Sequence, residues 1–171
     1  MKLPEVLKKE KLFFRAVFIA LLVAVLDLLT KRVVFAALQE ISIDQITRNP
    51  EIQVTSFFSL VKVWNYGVSF GMFNGIENSQ IILCSIQGSI LLILLFWLFN
   101  NQKVHISYAL ALIIGGAFGN LMDRAKNGAV ADFLDVYVGA YHWPAFNLAD
   151  SCIFIGVAIL VLEDFIFKSE K

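Results

Sequence analysis

Carboxylates are the reactive groups that this sequence places most often beside its apolar stretches. Five aspartates are candidates for a catalytic role: Asp27, Asp123, Asp132, Asp135 and Asp150. Two aspartates that share one proton can activate water and protonate a leaving amine, which is the chemistry of peptide hydrolysis. Such a pair titrates as a unit. Spacing alone eliminates none of the five.

Other catalytic and binding chemistries have little support. The two histidines, His105 and His142, do not form a Ser-His-Asp set with sensible spacing, and there is no HExxH motif or phosphate-binding glycine loop. Cys84 and Cys152 lack a neighbouring base in sequence and fit packing positions better. We therefore expect no metal ion and no cofactor.

The elements that must position the aspartates are apolar helices. Hydrophobic residues make up 58% of the 171 residues and charged residues only 16%, against about 25% charged residues in soluble domains. The formal net charge of zero argues against a nucleic-acid partner. Four apolar runs are long enough to cross a bilayer, and they cover residues 13–35, 81–99, 106–122 and 145–167. The sequence predicts an all-α integral membrane protein with four transmembrane helices and one membrane-embedded domain, residues 1–171.

Basic residues set the expected orientation. Eight of them flank the ends that would lie together in the cytoplasm: Lys2, Lys8, Lys9, Lys11, Arg15, Lys103, Lys168 and Lys171. Both termini should then be cytoplasmic, and residues 37–80 and 124–144 should form outer loops. Partial alternation over Ile52–Phe58 and Ser59–Trp64, with a compatible pattern over 130–137, predicts a small extracytoplasmic β-containing segment.

This topology brings polar residues of three spans to the outer boundary. Asp27 and Lys31 are four residues apart on one helix face, and Asn147 and Asp150 share a face at the start of the fourth span. The third span ends with Asn120, Asp123 and Arg124. Structural roles remain open for several of these groups. Asp27–Lys31 suits a positioning pair, Asp123–Arg124 an interfacial pair, Asn147 an interhelical hydrogen bond and Asp135 a solvated loop.

Two other function classes remain open at this point. A small four-span transporter or channel component would use Asp27, Lys31 and Asp150 as an ion path, but such a site usually lies near mid-bilayer between repeated halves. No internal repeat is evident, and the polar groups gather at one face. A purely structural membrane scaffold would not need so many acids beside asparagines.

Five segments, in order along the chain, resemble the motifs of bacterial lipoprotein signal peptidases, also called type II or prolipoprotein signal peptidases. Val130–Phe133 resembles the V-x-D-F motif of that family, and Phe146–Ser151 its F-N-x-A-D-S motif. Gly115–Arg124 resembles G-G-A-x-G-N-x-x-D-R, Trp64–Gly71 resembles N-x-G-x-x-F, and Val25–Lys31 resembles D-Q-x-T/S-K. Five motifs in the right order on a chain of this length make the resemblance highly specific. Leu28, where the family usually has Gln, and Tyr66 depart from it and affect substrate contacts rather than the reaction.

The resemblance implies an intramembrane aspartyl endopeptidase of the bacterial cytoplasmic (inner) membrane. Its substrate would be a prolipoprotein, cut just before a diacylglyceryl-modified cysteine, and cyclic peptides such as globomycin would inhibit it. Matching position by position, the resemblance implies that Asp132 and Asp150 are the catalytic pair. It implies supporting roles for Asn65, Gly67, Asn120, Arg124, Asn147, Asp27 and Lys31. We expect a monomer that contacts membrane lipids, with residues 65–73 as a lid.

Overall fold

Long helices and short strands alternate in a computed structural model that describes residues 5–45, 50–67 and 79–167. The helices are α1 (Glu5–Gln45), α2 (Ser79–Asn100), α3 (Val104–Asn127) and α4 (Leu148–Phe167). Strands β1 (Glu51–Thr55) and β2 (Phe58–Asn65) lie between α1 and α2, whereas β3 (Val130–Val138) and β4 (Tyr141–His142) lie between α3 and α4. The predictions of a mostly helical chain and of a small β-containing segment are confirmed.

Three of the described helices are long and apolar enough to cross a membrane: Leu7–Glu40 within α1, and the whole of α2 and α3. α4 overlaps the fourth predicted span, but it is not among these three candidates. The structure thus supports three candidate spans, and the fourth stays a prediction. α1 continues to Gln45, past residue 37, where the sequence placed the start of an outer loop.

α3 is the central helix, and it packs against α1, α2 and α4. Small residues let the neighbouring backbones come close, as is common between membrane helices. A Cβ on Gly115 would collide with the Ala20 carbonyl of α1, and a Cβ on Gly116 would collide with the Ala149 carbonyl of α4. This close approach brings polar side chains of α1 and α4 against the end of α3.

The strands form one antiparallel row in the order β1-β2-β3-β4. Gly128 ends α3 with φ 70°, and its N–H donates to the Arg124 carbonyl at 2.9 Å, so that the chain turns directly into β3. This left-handed conformation favours glycine. In the β2–β3 pair Val63 lies opposite Asp132, and Asn65 lies opposite Val130. The sheet therefore holds β3 beside the end of α3.

Candidate active site

A buried polar cluster lies where α1, α3, the start of α4 and the sheet meet. Its members are buried although all are polar or charged: Asp27, Lys31, Asn120, Asp123, Asp132 and Asn147. Asp150 is half-buried beside them. Buried charges are costly unless they are paired or hydrogen-bonded, so the contacts within this cluster decide what each group can do.

The start of α4 is a reciprocal cap formed by Asn147 and Asp150. The backbone N–H of Asp150 donates to Asn147 Oδ1 at 2.9 Å, and the backbone N–H of Asn147 donates to Asp150 Oδ2 at 3.2 Å. This is the geometry of a capping box, in which two otherwise unpaired N–H groups at a helix start are satisfied. The spacing of three residues noted in the sequence therefore both starts the helix and fixes the Asp150 carboxylate.

The side chain of Asn147 connects the cap to β3. Its Nδ2 donates to Asp132 Oδ1 at 2.7 Å and also lies 3.2 Å from Asn120 Oδ1. The preceding residue, Phe146, exchanges backbone hydrogen bonds with Leu134 of β3, at 2.8 and 3.1 Å. Asn147 therefore contacts both Asp132, which lies on β3, and Asp150, which lies in the first turn of α4.

Asp132 accepts a second side-chain hydrogen bond, from Asn65 of β2. Asn65 Nδ2 donates to Asp132 Oδ2 at 3.1 Å, since Asn65 is a diagonal neighbour of Asp132 across the strand pair. The N–H of Gly67 donates to Asn65 Oδ1 at 3.2 Å, so the NH₂ group of Asn65 is the one that faces the carboxylate. Gly67 is itself buried.

The pKa of Asp132 is raised from its ordinary value of 3.8 to about 7. Burial is the larger cause of this rise, and the nearby charge of Asp150 is the second. The hydrogen bonds from Asn65 and Asn147 act in the opposite direction and lower this pKa, because they stabilise the ionised form. A carboxyl group that titrates near neutral pH can both donate and accept a proton under physiological conditions.

Asn120 contributes the corresponding contact to Asp150. Its Nδ2 donates to Asp150 Oδ1 at 2.8 Å, while its Oδ1 accepts from Lys31 Nζ at 2.8 Å. Because the Lys31 ammonium group can only donate, it fixes the orientation of the Asn120 amide. The amide NH₂ group is consequently held toward Asp150.

Lys31 also pairs with two carboxylates. Its Nζ lies 2.7 Å from Asp27 Oδ2 and 3.2 Å from Asp123 Oδ2. The i,i+4 pairing of Asp27 with Lys31, expected from the sequence, is present in the structure. In contrast, the structure has Asp123 paired with Lys31 across helices and not with Arg124. Adjacent residues of a helix do not face each other, which is the physical reason for this correction.

The carboxylates of Asp27 and Asp123 each also accept a hydrogen bond from a backbone N–H group of the site. Asp27 Oδ1 accepts from the N–H of Ala149, in the first turn of α4, at 2.9 Å. Asp123 Oδ2 accepts from the N–H of Ala131, next to Asp132, at 3.2 Å. The sequence pattern gave no indication of either contact, because both join residues to backbone groups of other elements.

Arg124 and Asp135 lie beside this cluster with other partners. Arg124 is buried, and its Nη1 donates to Gln80 Oε1 of α2 at 3.2 Å. Asp135 is also buried, and its Oδ2 lies 2.8 Å from His142 Nδ1. The contacts with Gln80 and His142 were not predicted from the sequence. Of the predicted lid, residues 68–73 lie outside the described residues. Among those that are described, no group of three His, Cys, Asp or Glu side chains could hold a metal ion.

Most of this chain is similar in sequence to a known protein family. Residues 19–166 match a family model described as signal peptidase (SPase) II. A lipoprotein signal peptidase of Anaplasma marginale (strain Florida) is 44% identical over 124 residues, which cover 71% of this chain and 72% of that protein. The lipoprotein signal peptidase of Anaplasma phagocytophilum (strain HZ) is 39% identical over 120 residues, or 70% of this chain and 77% of that one.

The fold has a solved counterpart as well. A bacterial membrane enzyme, determined by the in meso method at 2.3 Å resolution, superposes with a TM-score of 0.72. The two chains are 27% identical, and the match covers 92% of this chain and 93% of the other. The two chains therefore share the same overall fold.

Proposed function

Because the chain belongs to the signal peptidase II family, whose members are aspartic-type signal peptidases that process prolipoproteins, we propose that Asp132 and Asp150 are its catalytic pair. The enzyme is a bacterial multi-pass membrane protein that cleaves signal peptides from prolipoproteins. The proposed cleavage point is the bond just before a diacylglyceryl-modified cysteine. No metal ion or cofactor takes part in the proposed reaction.

The observation that supports this pair is the double contact of Asn147. One residue donates its side-chain amide to Asp132 and its backbone N–H to Asp150, which keeps the two carboxyl groups in one site. Asp27 and Asp123 are each paired with Lys31, so both carboxylates already have a cationic partner. Asp135 faces His142 instead. Asp132 and Asp150 are thus the carboxyl groups best suited to exchange a proton.

In the proposed reaction one carboxyl group of the pair is ionised and the other is protonated. The ionised group takes a proton from water, which attacks the scissile carbonyl carbon. The protonated group donates a hydrogen bond to the carbonyl oxygen, where negative charge develops, and a proton then reaches the leaving nitrogen. The pKa of about 7 at Asp132 supports this exchange at neutral pH.

The neighbouring residues have positioning roles in this proposal. Asn65, Asn120 and Asn147 hold the carboxylates, and Gly67 orients the Asn65 amide. Asp27 and Lys31 anchor the start of α4 and the Asn120 amide. Arg124, whose Nε is buried and has no hydrogen-bond partner among the described residues, is proposed to contact the substrate backbone.

We propose a four-span topology with both termini in the cytoplasm and the site at the outer face. Asp150, in the first turn of α4, lies beside Asn120 near the end of α3, and Glu163 near the other end of α4 lies 2.7 Å from Lys103, which precedes α3. α4 therefore runs antiparallel to α3 over nearly the same length. Since α3 is long enough to cross the membrane, α4 is proposed as the fourth span.

The transporter alternative built on Asp27, Lys31 and Asp150 has less support, since those three residues belong to the network around the proposed catalytic pair. One chain supplies all the proposed site residues, so we propose a monomer. Cyclic peptides such as globomycin are proposed inhibitors.

The proposal is tested by incubating the purified protein with a prolipoprotein that carries the diacylglyceryl group and with the same precursor lacking it. Mass spectrometry should detect loss of the signal peptide from the modified precursor only, and globomycin should block that loss. Equal cleavage of both precursors would disprove the proposed dependence on the lipid group. A folded protein that cleaves neither precursor would disprove the proposed activity.

A further inference from the structure

A basic cavity lies at the end of the molecule opposite the polar cluster. It is formed by the start of α1 and by the α2–α3 connection, and its volume is about 400 Å³. Four basic side chains line it: Lys8, Lys9, Lys11 and Arg15. The other described lining residues are Leu12, Gln102, Val104 and Tyr108. None of the described lining residues is acidic, so the cavity has a concentrated positive charge.

Two described acidic residues near this end of the molecule do not neutralise this charge. Glu163 is already engaged, because its Oε1 lies 2.7 Å from Lys103 Nζ and 3.1 Å from His105 Nε2. Glu10 is exposed and does not line the cavity. The cavity is therefore complementary to an anion.

A separate, smaller apolar groove lies farther along α1, α2 and α3 and has a volume of about 160 Å³. Val17 and Leu21 of α1 line it, two and six residues beyond Arg15, and so does Leu98 of α2. A positive cavity at the end of apolar helices matches a molecule with an anionic head and a hydrocarbon chain.

We propose that the basic cavity binds the headgroup of an anionic phospholipid, whose acyl chains lie along the apolar helices. Basic pockets between transmembrane helices on the cytoplasmic side are suited to such headgroups. The substrate's signal peptide is a poor occupant, because signal peptides begin with a positively charged region that the lysines would repel. The proposed topology identifies the leaflet, but the binding itself does not depend on peptidase activity.

The test is lipid retention by the purified full-length protein, measured by native mass spectrometry with phosphatidylglycerol, phosphatidylcholine or inorganic phosphate as the probe. The protein should retain phosphatidylglycerol in preference to phosphatidylcholine. The variant Lys8→Gln/Lys11→Gln should bind phosphatidylglycerol more weakly, by about 5-fold for each charge removed. Lys8→Arg/Lys11→Arg should bind like the unchanged protein.

Two further variants distinguish an effect of the cavity on lipid binding from an effect of net charge or of misfolding. Lys62→Gln/Lys126→Gln removes the same charge on β2 and near the end of α3, outside this cavity, and should leave lipid retention unchanged. If Lys8→Gln/Lys11→Gln does not fold, Arg15→Gln provides the same comparison with one charge. Equal retention of the two lipids, equal weakening in the control pair, or full displacement by inorganic phosphate would overturn the proposal. Cleavage of a precursor in detergent is expected to be unaffected in all these variants.

Discussion

Asn147 and Asp150 bind each other twice at the start of α4, each through its backbone N–H and the other's side-chain oxygen. The same Asn147 side chain donates to Asp132 at 2.7 Å. A helix cap and the proposed catalytic pair therefore depend on one residue. This relationship makes the stability of the helix start and the geometry of the site separable by mutation.

Substitutions of Asn147 should separate these two roles. Asn147→Ser retains an oxygen that can cap the helix but loses the amide that reaches Asp132, so we expect nearly normal thermal stability and a loss of kcat/KM of roughly 10²-fold. Asn147→Ala should lose the same activity and also about 1 kcal/mol of stability. Thermal unfolding and precursor cleavage measure the two effects. Normal cleavage by Asn147→Ser would contradict the bridging role.

Asn substitutions should distinguish the proposed catalytic aspartates from their neighbour on β3. Asp132→Asn and Asp150→Asn should each lower kcat by roughly 10⁴-fold or more while the protein still inserts and folds, since the proton exchange is lost but the shape is kept. Asp135→Asn is the matched control and should retain substantial activity, because Asp135 contacts His142. Nearly normal cleavage by Asp150→Asn would rule out this pair.

The pH profile should report the proton shared by the pair. Because burial and the charge of Asp150 raise the Asp132 pKa to about 7, kcat/KM should fall as the pH rises through about 7 and the pair loses its proton. Asn65→Ala removes a hydrogen bond that lowers this pKa, so the midpoint of the fall should move to higher pH. Tyr66→Phe alters an exposed neighbour and should leave the midpoint in place. A shift to lower pH in Asn65→Ala would contradict the assignment.

Glycine substitutions should test the close approach of α1 to α3. A Cβ on Gly119 would lie 2.5 Å from Asp27 Oδ2, so Gly119→Ala should push Asp27 away from Ala149 and Lys31. We expect a loss of about 1–3 kcal/mol in the free energy of unfolding together with lower activity. Gly88→Ala in α2 is the control, since nothing lies within 4 Å of its added Cβ. Equal unfolding midpoints for the two variants would argue against a constraint at Gly119.

The long helices and short strands were predictable because they depend on local patterns. Uncharged runs indicate membrane helices, and partial alternation over 52–64 indicates the strands that became β1 and β2. The i,i+4 spacing likewise predicted the contact of Asp27 with Lys31. The extension of α1 to Gln45 was not predicted, because the apolar run ends earlier than the helix.

The sequence by itself determined the apolar helices, the small sheet and the five candidate aspartates, since these follow from residue type and spacing. Only the tertiary structure decided which carboxylates meet: Asp123 joins Lys31 of another helix and not its neighbour Arg124, and Asp132 joins Asp150 through Asn147. These contacts depend on how closely α1, α3, α4 and β3 approach one another. That approach is set by glycine contacts and strand register between distant segments, which no local pattern specifies.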